Sequence, residues 1–212
     1  MENACYSKKT GILGGTFNPI HTGHLMLAEN AMEYCGLDEV LIMPSGCSYF
    51  KDQNVIASKE MRIKMTELAI EDNEKFKLST IETDREGNSY TYETMEMLCR
   101  NNPDVHYYYI IGADTLFSIE TWRKPEEIFK RCTIVCAKRC ENEDDSMKRK
   151  AEELTARYDA DIILMDIPAV PISSTMIRTL MSKGMSCRYY LDDKVIRYIK
   201  ENGLYGYKRR SI

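Results

Sequence analysis

The stretch Gly14-Gly15-Thr16-Phe17-Asn18-Pro19-Ile20-His21-Thr22-Gly23-His24-Leu25 decides how this chain is read. Thr10 to Leu13, just before it, is a short apolar strand. His24 to Tyr34, within and after it, has the helical period, with Leu25, Ala28, Met32 and Cys35 on one side and Gly36 as the C-cap. Two glycines directly after a strand let the backbone turn sharply and come close to a ligand. Pro19 stiffens the loop. Imidazoles and amides at a helix N-terminus face the positive end of its dipole, where phosphate binds readily. Gly23 leaves room for His21 and His24 to reach one anionic group.

The same alternation continues down the chain. Strands are expected at Glu39 to Met43, Phe76 to Ile81, Val105 to Ile111, Thr133 to Ala137 and Asp161 to Met165. Helices are expected from Ser58 to about Ile70, with Met61, Met65, Leu68 and Ala69 inward, and over Thr91 to Arg100, Glu143 to Tyr158, Ser173 to Ser182 and Asp192 to Glu201. Val105 to Ile111 is a continuous apolar-aromatic run, as a strand buried on both faces requires. The pattern predicts an α/β fold, doubly wound and Rossmann-like, with a mostly parallel sheet and helices on both faces. Pro44 to Ala57, a weakly patterned loop at the end of the second strand, is a site candidate.

The 212 residues suit a single domain spanning 1–212, with a C-terminal helical portion at about 173–205 packed on it. A formal net charge of -4 argues against general nucleic-acid binding. Phosphate on a small substrate needs only a few local donors, so it stays open. No apolar run is long enough to span a bilayer and Met1 to Lys9 has no apolar leader, so the expected place is the cytoplasm, with no membrane partner. A homo-oligomer is compatible with all of this.

Eight cysteines are spread along the chain and are expected as reduced thiols. Cys132, Cys136 and Cys140 form a C-x3-C-x3-C run. Thr133-Ile134-Val135 between the first two is strand-like, and no nearby histidine completes a zinc set, so no metal site is expected there.

A second segment, Ile172-Ser173-Ser174-Thr175-Met176-Ile177-Arg178, opens a late helix. Ser173 or Ser174 can cap it, leaving amides and hydroxyls for phosphate oxygens. Arg178 lies one turn along on the face of Ser174 and could present a fixed fork to a phosphate.

Together the two segments resemble the H-x-G-H and I-S-S-T-x-I-R signatures of the nucleotidyltransferase superfamily that shares a fold with class I aminoacyl-tRNA synthetases. Further motifs resemble the bacterial nicotinate-nucleotide adenylyltransferases: Pro44-Ser45 leading to Phe50-Lys51, Arg62-Ile63-Lys64-Met65 through Ala69, Ser89-Tyr90-Thr91-Tyr92-Glu93-Thr94, and Ile111-Gly112-Ala113-Asp114 followed by Trp122. The resemblance runs from Gly14 to Tyr205. It implies transfer of the adenylyl group of ATP to nicotinate mononucleotide, with release of pyrophosphate, in NAD biosynthesis.

By that resemblance His21, His24, Lys51 and Arg178 are catalytic. ATP is held by Gly14, Gly15, Thr16, Phe17, His21, His24, Gly112, Asp114, Ile172, Ser173, Ser174 and Arg178. Nicotinate mononucleotide is held by Thr16, Lys51, Ser89, Tyr90, Thr91 and Trp122. The indole can stack on a flat, cationic pyridinium, donors around Thr91 suit a carboxylate, and Asp114 can accept from ribose hydroxyls. No protein metal site is implied; Mg²⁺ arrives with ATP. Tyr49-Phe50-Lys51 stands where the family commonly has Pro-His-Lys, and Asn18 replaces a frequent Asp. Phosphopantetheine adenylyltransferases share the first signature but are shorter and lack the S-Y-T and G-A-D…W pairing. A non-catalytic nucleotide sensor would have no use for the full set of transition-state charges.

Overall fold

The computed structural model describes residues 6–46, 57–138, 144–168 and 170–207. Six strands, β1 (Lys8–Gly15), β2 (Glu39–Pro44), β3 (Phe76–Leu78), β4 (Val105–Gly112), β5 (Cys132–Lys138) and β6 (Ile162–Asp166), form one sheet in the order β3-β2-β1-β4-β5-β6. β1 runs parallel to β4, with Ile12 opposite Tyr109; β4 runs parallel to β5, with Tyr107 opposite Cys132; β5 runs parallel to β6, with Ile134 opposite Ile162. This is the doubly wound α/β arrangement, reversing between β1 and β4. In such sheets ligands bind beyond the carboxyl ends of the strands at the reversal. Here those ends carry Gly14-Gly15 and Gly112.

Between the strands lie α1 (Thr22–Cys35), α2 (Lys59–Ile70), α3 (Thr91–Asn101), α4 (Ala113–Ser118), α5 (Pro125–Phe129) and α6 (Asp144–Tyr158), and after β6 come α7 (Ser174–Ser182) and α8 (Asp193–Glu201). α1 begins two residues earlier than its periodicity suggested. It ends as expected at Gly36, whose φ of 60° lets Leu37 N–H reach back to Met32 O at 2.9 Å. β3 is shorter than the expected Phe76 to Ile81. After Leu78 the backbone turns instead, because Thr83 Oγ1 donates to Thr80 O and Asp84 N–H bonds Thr80 O. Local bonds of this kind compete with a strand ladder.

The chain folds as two compact units that interleave in sequence: residues 1–14, 27–41 and 89–170, and residues 15–26, 42–88 and 171–212. In the first, six successive residues of β5, Cys132 to Ala137, are all buried, as a strand covered on both faces must be. Ile110, Ile134, Met147, Leu154 and Met165 fill that core. Truncating one such aliphatic to alanine costs about 2–5 kcal/mol. Cys132 and Cys136 belong to the same core and, like Cys35 and Cys99, form no disulfide; burial pushes the Cys132 thiol up. Cys140 lies outside the described residues.

In the second unit α2 packs on β3 and α8, while a 3-10 turn at Leu204–Gly206 packs on α7 and α8. Ser58 caps α2 by accepting from Met61 N–H, as its position in the sequence implied. The inward face of α2 is not the expected one. Arg62, Met65, Thr66 and Ile70 are buried, whereas Met61, Leu68 and Ala69 are only partly covered. The phase moved because Arg62 is a structural group, as its partners below show.

Among the described residues no helix is long and apolar enough to cross a membrane.

Candidate active site

The loop after β1 is held by its own side chains. Phe17 has a φ of 46°, a left-handed conformation that costs a non-glycine residue about 1–2 kcal/mol. Its ring is 2% exposed and lies where a Cβ on Gly15 would be, 2.7 Å from its Cε1. Gly15 is therefore fixed by sterics. Gly14 plays the same part in the other unit, where a Cβ would meet the Tyr109 hydroxyl at 2.7 Å.

His21 immediately precedes α1, and its carbonyl accepts from His24 N–H at 2.8 Å. His24 Nδ1 in turn accepts the backbone N–H of His21 at 3.2 Å. This is the reciprocal logic of a capping box, with an imidazole in place of the usual Glu or Gln. The two rings stack, centroids 3.5 Å apart and 19° from parallel, and Phe17 meets His24 edge-on at 5.0 Å. A Cβ on Gly23 would lie 3.2 Å from His21 Nδ1 and 3.6 Å from Ile172 Cβ, so glycine makes the room that His21 occupies.

His21 is 6% exposed, and burial lowers its pKa to about 4, so at neutral pH it is uncharged. Its Nδ1 is buried with no hydrogen-bond partner among the described residues. Leaving such an atom unmet costs about 1–3 kcal/mol, a cost that an incoming donor or acceptor would remove. Thr22, the first residue of α1, sends its N–H to Tyr190 O at 2.9 Å and its hydroxyl to the carbonyls of Tyr189 and Tyr190. That amide is therefore committed within the protein, unlike the free helix-end amides the sequence suggested.

Three further elements of this unit converge on the same loop. Arg62 Nη1 donates to Thr16 O at 2.8 Å. Ser174 Oγ donates to Pro19 O at 2.8 Å. Arg178 Nη1 donates to Asn18 O at 2.9 Å and Nη2 to Thr175 Oγ1 at 3.2 Å. Ser173, the N-cap of α7, accepts from Met176 N–H. Both hydroxyls of the Ser173-Ser174 pair and two nitrogens of the Arg178 fork thus have protein partners before any ligand arrives. The structure gathers Thr16, Phe17, His21, His24, Ser174 and Arg178 around one loop. Lys51 lies outside the described residues.

Of the other residues named from the sequence, Gly112, Asp114, Tyr90, Thr91 and Trp122 lie in the first unit. Gly112 ends β4 and precedes α4, whose first turn carries the exposed Asp114. Tyr90 caps α3, and Thr91 is its first residue. Arg123 stands over the Tyr90 ring at 4.7 Å, and Lys124 over the Tyr92 ring at the same distance. Trp122 is half-buried, and its ring stands nearly perpendicular to that of Tyr109 with centroids 5.9 Å apart.

Arg62, Asn18 and Tyr205 were not assigned to the site from sequence. Arg62 had a visible signal, a charge on the helical phase of Met65. Asn18 and Tyr205 are joined only by folding: the Tyr205 hydroxyl donates to Asn18 Oδ1 at 2.9 Å.

A doubly wound sheet with a paired-histidine helix start and a late Ser-Arg helix defines a nucleotidyltransferase, and residues 12–180 match the cytidylyltransferase-like family. Over 198 residues the chain is 43% identical to the "Probable nicotinate-nucleotide adenylyltransferase" of Lachnoclostridium phytofermentans, covering 93% of this chain and 99% of that one. It is 41% identical over 198 residues to the protein of that name from Lactiplantibacillus plantarum, covering 93% and 88%. The chain belongs to the nicotinate-nucleotide adenylyltransferase family. The Plasmodium falciparum nicotinic acid mononucleotide adenylyltransferase complexed with NaAD shares the fold, with a TM-score of 0.79 at 21% identity, over 95% of this chain and 98% of that one.

Proposed function

We propose that the protein transfers the adenylyl group of ATP to nicotinate mononucleotide, giving nicotinate adenine dinucleotide and pyrophosphate in NAD biosynthesis. The observation that carries this reading is the stacked His21–His24 pair at the start of α1, one loop away from the guanidinium of Arg178. It stands in a chain that matches adenylyltransferases of this name over nearly its whole length.

The chemistry is a direct displacement. An oxygen of the mononucleotide 5′-phosphate attacks the α-phosphorus of ATP, the bond from that phosphorus to the bridging oxygen breaks, and its electron pair leaves with pyrophosphate. A phosphate monoester is nucleophilic at neutral pH, so no general base is needed. Catalysis is positioning plus stabilisation of charge on the transferring group.

His24 accepts through Nδ1, so its neutral form carries the proton on Nε2 and can donate there. Arg178 and Lys51 add charge, while Gly14 to Phe17, Gly112, Asp114 and Ile172 to Ser174 complete the ATP contacts. Trp122 takes the pyridine face, and Thr16 with Ser89 to Thr91 takes the rest of the acceptor. Mg²⁺ enters as part of the ATP substrate and offsets phosphate charge. Among the described residues no three His, Cys, Asp or Glu side chains converge to hold an ion of their own.

The chain is read as a single domain, 1–212, whose two compact units interleave along the sequence. The reaction is placed in the cytoplasm, where its substrates are small and soluble.

A pyrophosphate-release assay with ATP and, in turn, nicotinate mononucleotide, nicotinamide mononucleotide and phosphopantetheine tests the reading. Release with the first substrate supports it. Release only with phosphopantetheine, or with none, overturns it.

A further inference from the structure

Asn18 is 5% exposed, and its backbone and side chain are a meeting point for four segments. Its carbonyl accepts from Arg178 Nη1 at 2.9 Å. Its side-chain Oδ1 accepts the N–H of Ala57, just ahead of α2, at 3.0 Å and the hydroxyl of Tyr205 at 2.9 Å. The Tyr205 hydroxyl also lies 3.8 Å from Met65 Sδ on α2. A phenol has one proton, and the amide oxygen is the better acceptor, so the proton goes to Asn18.

The backbone that delivers this hydroxyl is unusual. Tyr205 has φ 58° and ψ 28°, left-handed for a residue with a Cβ, and it sits among Gly203 at φ 60° and Gly206 at φ 67°. Strained residues persist only where the surroundings over-determine them, and they cluster at working sites. Here the turn is packed on α7 and α8. What the conformation achieves is to aim the ring at Asn18 rather than at solvent. Burial, which pushes the phenol above its ordinary pKa, keeps it a neutral donor.

From this geometry we infer that Tyr205 is a positioning residue for the transfer: through Asn18 it fixes the loop that anchors the α7 guanidinium of Arg178 and leads into the His21–His24 pair. The inference rests on the adenylyl-transfer reading. Tyr205 touches no substrate; it acts by holding Asn18, which orients the carbonyl that anchors the guanidinium. A small misplacement of charges around a transferring phosphoryl group slows the reaction far more than it weakens binding.

The test uses the full chain as wild type, Tyr205→Phe, Asn18→Ala and the double variant, measuring pyrophosphate release with ATP and nicotinate mononucleotide beside a thermal melt. Tyr205→Phe is expected to lower kcat about tenfold, with KM for ATP rising less than about threefold. Asn18→Ala is expected to lower kcat at least as much, and the double variant no further than Asn18→Ala alone, because both act through one contact. A purely structural tyrosine would lower the melting temperature and leave kcat at 25 °C unchanged, which overturns the proposal, as do losses that multiply in the double variant. Should Tyr205→Phe not fold, Asn18→Ala decides: an unchanged kcat overturns the proposal and a loss of about tenfold or more supports it. A silent wild type overturns the adenylyl-transfer reading together with the proposal. An active wild type matched by Tyr205→Phe overturns the proposal alone.

Discussion

The Nδ1 of His24 accepts the backbone N–H of His21 at 3.2 Å, so one histidine caps the helix that the other introduces. The bond fixes which nitrogen of His24 is left to donate. Asparagine at position 24 keeps an acceptor near Nδ1 and loses the Nε2 donor, whereas alanine loses both. His24→Ala is expected to lower kcat by on the order of 10²–10³, the range for one transition-state donor. His24→Asn should lose as much kcat yet keep about 1 kcal/mol more stability than alanine. Parallel kinetics and urea unfolding decide it; an active His24→Asn would remove the donor from the mechanism.

His21 links the site to acid stability. Burial moves its pKa from the ordinary 6.5 to about 4. Between those values the unfolded chain takes up a proton that the native chain refuses. Stability is therefore full above pH 6.5 and declines as the pH falls toward 4, by roughly 3 kcal/mol in all. His106, also lowered by burial, adds to the same trend. His21→Asn should flatten part of the slope between pH 6.5 and 4.5 in urea titrations. An identical slope would mean that His21 titrates normally in the native state.

Gly15→Ala places a methyl 2.7 Å from the buried ring of Phe17. The ring is enclosed, so the loop must shift. A stability loss of about 1–3 kcal/mol is expected, with a larger fall in activity because the histidines follow directly. Wild-type melting and turnover in this variant would show that the ring moves freely.

Arg178→Lys keeps the charge and cannot span both Asn18 O and Thr175 Oγ1, which the guanidinium bonds through two nitrogens. A loss of roughly 1–3 kcal/mol in transition-state binding is expected, read as a fall in kcat/KM. Unchanged kinetics would reduce Arg178 to a surface residue.

The acceptor is decided by the substituent on its pyridine. A site offering only N–H and O–H donors leaves a carboxamide NH₂ unmatched at a cost of about 1–3 kcal/mol. The acid mononucleotide is therefore expected to be used with at least about tenfold higher kcat/KM than the amide. Trp122→Ala should weaken both and hardly change their ratio, since stacking does not read the substituent. Equal use of the two by the wild type would overturn the preference and leave adenylyl transfer standing.

Local order along the chain determined a good deal by itself. β1 and α1 follow from an apolar run and a 3.6-residue period, although β1 continues through Gly14-Gly15 where the sequence predicted a sharp turn, and the caps at Ser58 and Ser173 follow from hydroxyls placed just ahead of such periods. The doubly wound sheet follows from the alternation of strands and helices. α4 and α5 left no trace, because five or six residues are too few to display a period. The inward face of α2 was misjudged for a different reason: hydropathy scores Arg62 as solvent-seeking, and only the folded loop supplies the Thr16 carbonyl that makes its burial favourable. The same holds for the site. Sequence could name His21, His24 and Arg178, but whether a histidine is neutral, which of its nitrogens donates and what an arginine grips depend on burial and on partners far along the chain. Asn18 and Tyr205, 187 positions apart, become neighbours only when the C-terminal turn closes on the loop.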